Sequence, residues 1–166
     1  MALAREALEK SEKEYRGLFE NANDIIFMMD LKGDITFVNR KAQDFVGYTK
    51  EDIKHGLNIF RLLTQESYRQ ALERMRILVG GVEIDKSFII EVVKKNGDHA
   101  FLEYKAWLIH SENRPVGVQC IARDITGRLE SEEKLRKSEE MYRALVESSQ
   151  DMIFSLDKDC RYQYFH

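Results

Sequence analysis

Proline, cysteine and long apolar runs are all scarce in this 166-residue sequence. The single proline, Pro115, excludes a proline-rich linker. The two cysteines, Cys120 and Cys160, lack the spacing of metal ligands, so we expect no metal site and a reduced, cytoplasmic setting. No apolar run is long enough to cross a bilayer, and the charged N-terminus lacks the apolar segment of a signal peptide.

The net charge is also small, at −3 for 26 basic and 29 acidic residues. A nucleic-acid-binding surface favours a clustered basic face, so this balance gives no electrostatic argument for such a partner. Hydrophobic residues make up 43% of the chain, which is enough for one ordinary domain core with some length left over.

An internal repeat organises the chain. The segment SEKEYRGL at 11–18 matches SEEMYRAL at 138–145, and in the same register DIIF at 24–27 matches DMIF at 151–154. The offset is too long for a solenoid unit and fits a domain plus its connector. The second copy stops at His166, so we expect a piece of a longer tandem array. The expected divisions are a signalling and dimerisation helix over 1–20, a complete domain over 21–126, a linker helix over 127–147, and the truncated start of a second domain over 148–166.

Apolar and aromatic residues recur at seven-residue spacing in both helical segments. Leu8 and Tyr15 are seven residues apart, and the repeat returns this pair as Leu135 and Tyr142. Such short, imperfect heptads are compatible with a dimerising coiled coil, and equally with a helix that packs on its own sheet. We expect a homodimer that forms through these helices.

Between the helices, the pattern changes from two strands to several short helices and then to three strands. Gly33 and Asn96-Gly97 mark hairpin turns, and Ser67 is expected to open the longest of the helices. The expected strands are 25–30, 35–39, 87–94, 99–109 and 116–122. This order predicts an α+β domain in which a five-stranded antiparallel sheet carries short helices on one face.

Motifs over residues 18–126 resemble the PAS family in their order and spacing. They are the first hairpin at 30–35, the connector at 38–52, the second hairpin at 95–98 and the closing segment at 123–126. The resemblance implies a sensory and dimerisation module of a signal-transduction protein, whose parent chain contains adjoining PAS and output domains. Because the family is frequent in sensor histidine kinases, it implies a parent of that kind.

The sequence Asp124-Ile125-Thr126 is similar to the D-I-T signature that closes those PAS domains that lead into a signalling helix. Asp124 or Thr126 can accept hydrogen bonds from the first turn of a helix that starts near Gly127. Burial of Ile125 against the sheet would fix the angle at which that helix leaves. The motif is therefore a candidate signal joint, although a simple helix cap has the same sequence.

The resemblance also implies a pocket for a small organic ligand between the inner sheet face and the long helix. Alternation along the fourth strand places Tyr104 and Trp107 on opposite faces and does not show which face lines the pocket. The residues that we expect to contact a ligand are Tyr48, Arg61, Leu102, Tyr104 and Met75.

Haem and flavin have weaker support in the residues. His55 is the one plausible axial ligand, whereas haem-binding PAS domains usually offer a histidine from the long helix, which has none here. The photoactive flavin branch needs a cysteine that the corresponding stretch, 58–63, lacks. Non-covalent flavin would use Trp107 and Asn58, but a buried core tryptophan is the favoured interpretation. Cys120 is interpreted as a small core residue.

The sequence shows no catalytic constellation. His110 and Ser111 are adjacent but have no evident third partner, and Gly80-Gly81 is not followed by the pattern of a phosphate-binding loop. We therefore expect this chain to have no enzymatic activity of its own. Two alternatives to a ligand-sensing module stay open, namely a ligand-free protein-interaction scaffold and a haem- or flavin-bearing redox or gas sensor.

Overall fold

The computed structural model describes residues 2–82, 86–148 and 154–165. These residues form two compact units, Met1–Thr126 and Gly127–His166, which are described separately. In this part of the chain, no helix is both long and apolar enough to cross a membrane.

The first unit is an α+β domain built on one five-stranded antiparallel sheet, as the sequence predicts. The strands lie side by side in the order β2-β1-β5-β4-β3, so β1 and β5 pair although they are distant in sequence. In chain order the elements are α1 Ala2–Glu20, β1 Ile25–Met29, β2 Ile35–Val38, α2 Arg40–Val46, α3 Lys50–Lys54, a 3₁₀ helix Ile59–Leu62, α4 Gln65–Val79, β3 Phe88–Val93, β4 His99–Ser111 and β5 Arg114–Asp124.

The core lies on the inner face of this sheet. Alternation along β4 directs Leu102, Tyr104, Ala106 and Leu108 towards the core cluster, where they pack with residues of α4. Trp107 belongs to the opposite face and is 45% exposed, so the expectation of a buried core tryptophan is wrong. The period of two residues in a strand places it outward, because Ala106 and Leu108 on either side face inward.

Asn39 connects three elements, α1, β1 and α2, at one buried point. Its side chain is completely buried, and its Oδ1 accepts hydrogen bonds from the backbone N–H groups of Ile26 (3.1 Å) and Ala42 (3.0 Å). Its Nδ2 donates to the carbonyl oxygens of Phe19 (3.2 Å) and Asp24 (2.9 Å). One amide thus caps α2 and joins the end of α1 to β1, which satisfies its donors and acceptors without water.

The first hairpin depends on a close approach between backbone and ring. Gly33 has a φ of +90°, and a Cβ added there would lie 2.5 Å from the ring of Phe60. Asp30 completes the turn, because its Oδ1 accepts from the N–H groups of Lys32 (2.8 Å) and Asp34 (2.9 Å). The turn therefore needs glycine for both its conformation and its space.

The long helix begins earlier than the sequence indicates. It starts at Gln65 with Thr64 as its N-cap, rather than at Ser67. The hydroxyl of Ser67 instead accepts a hydrogen bond from the N–H of Glu91 in β3, at 2.8 Å. A serine that hydrogen-bonds to a distant strand has the same local sequence as a serine that caps a helix, so propensity alone does not separate the two.

The second unit contains most of α5, Thr126–Ser148, and a hairpin of β6 Phe154–Leu156 and β7 Tyr162–Phe165. Its turn has the same hydrogen bonds as the first hairpin. Asp157 Oδ1 accepts from the N–H groups of Asp159 (2.8 Å) and Arg161 (2.9 Å), as Asp30 does with the residues two and four positions later. Cys160 occupies the place of Gly33 with a φ of +57°.

Candidate functional site

The core of the first unit contains a small, partly open cavity between the inner sheet face and α4. Its volume is about 60 Å³. Aliphatic and aromatic side chains make up most of its wall, and the polar exceptions are Arg74, Lys86, Tyr104 and Cys120. The other lining residues are Phe27, Met29, Ile59, Phe60, Leu63, Ala71, Met75, Leu78, Phe88, Ile90, Ala106 and Val118.

Two of these polar residues, Arg74 and Tyr104, meet where α4 faces β3 and β4. The guanidinium carbon of Arg74 lies 3.5 Å from the centroid of the Phe88 ring, a cation–π geometry. Arg74 Nη1 also donates to the hydroxyl of Tyr104 at 3.4 Å. Burial raises the pKa of Tyr104, and the bond from Arg74 opposes that shift. The phenol therefore stays protonated at neutral pH and can itself donate.

Cys120 lies at the base of the cavity on β5. It is 2% exposed, and burial raises the pKa of its thiol to about 12. The thiolate is the reactive form of cysteine, so this thiol is inert at neutral pH. Its burial in the core cluster confirms the interpretation of Cys120 as a small core residue.

The end of β5 is hydrogen-bonded to β4 through the predicted joint. The N–H of Ile125 donates to the carbonyl oxygen of Phe101 at 3.0 Å, and the N–H of Phe101 donates to Thr126 Oγ1 at 2.9 Å. The N–H of Thr126 donates to Asp124 Oδ1 at 2.9 Å. Ile125 is 4% exposed, which confirms that it is buried. The first residue of α5 is thereby bonded to the strand that lines the cavity.

This arrangement differs from a simple helix cap in one respect. Asp124 accepts from the first residue of α5, as a cap would, but Thr126 bonds across to β4 rather than along the helix. Tyr104 and Ala106, which line the cavity, are three and five residues beyond Phe101 on the same strand.

The fold agrees with the comparisons with known proteins. The family pattern described as the PAS fold matches residues 13–125. The chain belongs to the PAS family. The predicted resemblance and the fold class are thus both confirmed.

Solved PAS domains share this architecture. A domain of the sensory box sensor histidine kinase/response regulator from Geobacter sulfurreducens is 30% identical, with a TM-score of 0.58 over 70% of this chain and 96% of that one. The PAS domain of an HTR-like protein from Haloarcula marismortui is 21% identical and has a TM-score of 0.62 over 75% of this chain and 100% of that one.

A curated relative extends the likeness beyond the domain itself. The methyl sulfide methyltransferase-associated sensor of Methanosarcina acetivorans is 29% identical over 149 residues, which is 89% of this chain and 14% of that protein. The chain thus spans about a seventh of the length of this relative. Together these similarities make the chain a PAS sensory module.

Two of the five predicted ligand-binding residues line the cavity. Met75 on α4 and Tyr104 on β4 are part of its wall. Leu102 faces the same side of the sheet but is packed into the core at 4% exposure, outside the lining. Tyr48 lies beside Lys95, whose Nζ is 5.3 Å from its ring centroid, and Arg61 is exposed on the 3₁₀ helix. Ligand binding by any of the five stays a prediction.

Arg74 and Lys86, the two charged residues of the cavity wall, were not predicted as site residues. The sequence contains a partial indication of Arg74, because Arg74 directly precedes Met75 on the long helix and Ala71 lies three positions before Arg74. Helical spacing places positions 71, 74, 75 and 78 on one face, and all four line the cavity.

The cavity does not fit haem or flavin. At about 60 Å³ it is several-fold smaller than the roughly 300–1,000 Å³ pockets that enclose larger organic ligands. His55 is exposed, bonds through Nδ1 to the carbonyl oxygen of Glu51 at 2.7 Å and is not part of the wall. Asn58 caps the 3₁₀ helix, and its Nδ2 donates to Asp34. Trp107 lies on the outer face of the sheet.

The described residues also contain no cluster of side chains that could hold a metal ion. Over 2–82, 86–148 and 154–165, no three histidine, cysteine or acidic side chains come together as metal ligands do. His99, for example, is paired through Nδ1 with Glu91 Oε1 at 2.8 Å.

Proposed function

We propose that this PAS module senses the state of its core cavity and relays it through Asp124-Ile125-Thr126 to α5. The observation that supports this proposal is the pair of hydrogen bonds between Phe101 on β4 and the residues at the start of α5. A displacement of β4 by a group in the cavity changes the position of Phe101. Because Ile125 and Thr126 are both bonded to that residue, the first turn of α5 responds.

We propose that the parent protein is a histidine kinase. We also propose that it acts in the cytoplasm, and that this chain is a non-catalytic part of it. The similarity to a domain of the Geobacter sensor histidine kinase/response regulator supports the first point. The absence of a catalytic constellation from the sequence supports the last. Adjoining PAS and output domains are the partners that this function needs.

We further propose that the module forms a homodimer through its helices. On α1, Tyr15 and Leu18 are exposed, and on α5, Leu135, Tyr142 and Leu145 are exposed as well. Leu135 and Tyr142 are seven residues apart, with Leu145 three residues further on, which is the a/d spacing of a coiled coil. Exposed apolar residues at this spacing favour a helix that meets a second helix.

A second PAS domain is proposed to begin after α5. The supporting observation is the turn at Asp157, whose hydrogen bonds repeat those of Asp30 at the offset that the sequence repeat defines. Both the residue pattern and the turn geometry therefore recur together. In the resulting tandem arrangement, α5 is the connector between successive sensory domains.

A second candidate function is a protein-interaction scaffold whose core does not bind a ligand. The small size of the cavity, about 60 Å³, favours it. The two candidate functions differ in the expected effect of filling the cavity, because only a sensor transmits the resulting displacement of β4 to α5.

A cavity-filling substitution separates the two. Ala106→Val adds two methyl groups to the cavity wall on β4, and Thr36→Val is the control on exposed β2. For a sensor, hydrogen exchange of the backbone amides over 124–131 changes with Ala106→Val and not with the control. Unchanged exchange in both variants would leave only the scaffold. An absorption spectrum of the purified protein, with mass spectrometry of what denaturation releases, tests for a bound cofactor or metabolite.

A further inference from the structure

The charged side chains in the cavity wall are all positive among the described lining residues. Arg74 and Lys86 both contribute to this wall, and among the described lining residues none is acidic. Within the described ranges, no ion pair involves either of these two cations. Lys86 is exposed and Arg74 is partly exposed, so water reaches both charges, and an anionic ligand that displaces this water would have to supply the counter-charge itself.

Arg74 is also held in place. Its guanidinium lies over the Phe88 ring at 3.5 Å and donates one hydrogen bond to Tyr104 at 3.4 Å. A guanidinium has five N–H donors in a planar fork, and this fork matches the two oxygens of a carboxylate. Because its orientation is fixed beforehand, the Arg74 side chain loses less conformational entropy when a ligand binds it.

The remainder of the cavity is apolar. Apart from Arg74, Lys86, Tyr104 and Cys120, the wall is made of apolar side chains such as Met75, Leu78, Ile90 and Val118. Cys120 does not change this character, since its thiol stays protonated. A ligand that fits the whole space therefore has an apolar body and one negatively charged end.

We propose that the cavity binds a small monocarboxylate with an apolar body, whose carboxylate is bound by Arg74 and Tyr104, with Lys86 adding positive charge. The proposal rests on the sensory function above and names its ligand class. A neutral apolar molecule would leave the guanidinium without a counter-charge. A dicarboxylate would place its second charge among the apolar side chains.

Matched acid and amide probes test this proposal. Acetate and propionate, which are small enough for a cavity of about 60 Å³, are compared at equal ionic strength with acetamide and propionamide, which have nearly the same shape without the charge. Binding is measured by calorimetry and by the shift in melting temperature of the intact 166-residue chain. We expect at least one acid to bind about tenfold or more tightly than its amide, as a charge-assisted bidentate bond provides.

Arginine variants assign that preference to a residue. Arg74→Met removes the charge and keeps the length of the side chain, and we expect it to abolish the preference for acid over amide. Arg69→Met is the matched control, because Arg69 is on the same helix, pairs with Glu66 and is exposed. Arg74→Lys keeps the charge and should retain part of the preference. It serves as the informative variant if Arg74→Met unfolds.

The outcomes distinguish the ligand class from the sensory function. A preference for the acid that Arg74→Met removes and Arg69→Met leaves supports the proposal. Amides that bind as well as the acids would overturn the carboxylate and leave the sensory function standing. No binding by either class at the solubility limit of the probes would overturn the proposal, and the Ala106→Val exchange experiment would still decide the relay.

Discussion

The backbone N–H of Phe101 donates a hydrogen bond to Thr126 Oγ1 at 2.9 Å, across the gap between β4 and the start of α5. Phe101 also accepts from the N–H of Ile125 at 3.0 Å. These two bonds continue the pairing of β4 with β5 beyond Asp124, at which β5 ends. Thr126, the first residue of α5, is therefore bonded directly to the sheet.

Removing the Thr126 hydroxyl is expected to loosen this joint. Thr126→Val keeps the shape of the side chain but leaves the N–H of Phe101 without its acceptor, which costs about 1–2 kcal/mol in the free energy of unfolding. Thr126→Ser keeps the hydroxyl and should cost less. Urea denaturation measures the stability, and hydrogen exchange of the Phe101 amide reports the bond itself. Equal protection of that amide in both variants would contradict the assigned role.

Asn39 should be among the most sensitive polar positions in the first unit. Asn39→Ala removes the acceptor for the N–H groups of Ile26 and Ala42 and the donor for two carbonyl groups. All of these lie at a buried point, so we expect a loss of about 2–4 kcal/mol. Asn96→Ala is the control, because Asn96 is exposed and bonds only within its own turn to Asp98. Similar urea midpoints for the two variants would refute this assignment.

Local signals in the sequence predicted the hairpin turns well. The turns at Gly33 and at Asn96-Gly97 are both present, because neighbouring residues alone determine them. The five strands and the antiparallel pairing within each hairpin followed from alternation and turn residues. These features need no knowledge of what lies across the fold.

Contacts between distant segments were not predictable in the same way. Ser67 looked like a helix cap, but its hydroxyl bonds to β3, and Trp107 looked like a core residue until the register of β4 placed it outward. For the cavity, helical spacing could have indicated Arg74, whereas Tyr48 and Arg61 depended on how the connector between β2 and α4 packs. A single sequence carries little information on that packing.

The glycine in the first hairpin allows backbone strain and steric contact to be measured separately. Gly33→Ala adds a Cβ at a φ of +90° and within 2.5 Å of the Phe60 ring. Gly56→Ala has a similar φ of +84°, but no atom lies within 4 Å of the added Cβ. We expect about 1–2 kcal/mol for the left-handed backbone at Gly56 and about 1–3 kcal/mol more at Gly33.

Phe60 provides the matching rescue for this comparison. The double substitution Gly33→Ala with Phe60→Ala removes the ring that the new Cβ meets. We expect the two changes together to cost less than the sum of the single changes in urea denaturation, which is a coupling between touching residues. Strictly additive costs would show that the ring is not what excludes alanine at this position.

The buried thiol of Cys120 should make stability fall at alkaline pH. Burial raises its pKa from 9.0 to about 12 in the folded state. Between these values the unfolded chain loses the thiol proton and the folded chain keeps it, so the free energy of the unfolded state falls relative to that of the folded state as the pH rises. The contribution of the protonated Cys120 thiol to the free energy of unfolding is fully present below pH 9. Above pH 9 the free energy of unfolding decreases by at most about 1.4 kcal/mol per pH unit.

Urea denaturation across this range, in a Cys160→Ser background, checks the effect. The background removes the exposed thiol of Cys160 and leaves the buried one. The window from pH 9 to 10 isolates the cysteine, because the raised pKa of Tyr104 acts in the same direction only above the ordinary tyrosine value of 10.0. Cys120→Ala lowers the stability at all pH values but should flatten the slope in this window. An unchanged slope would mean that another group causes the alkaline loss and that the Cys120 thiol is more open to water than its 2% exposure indicates.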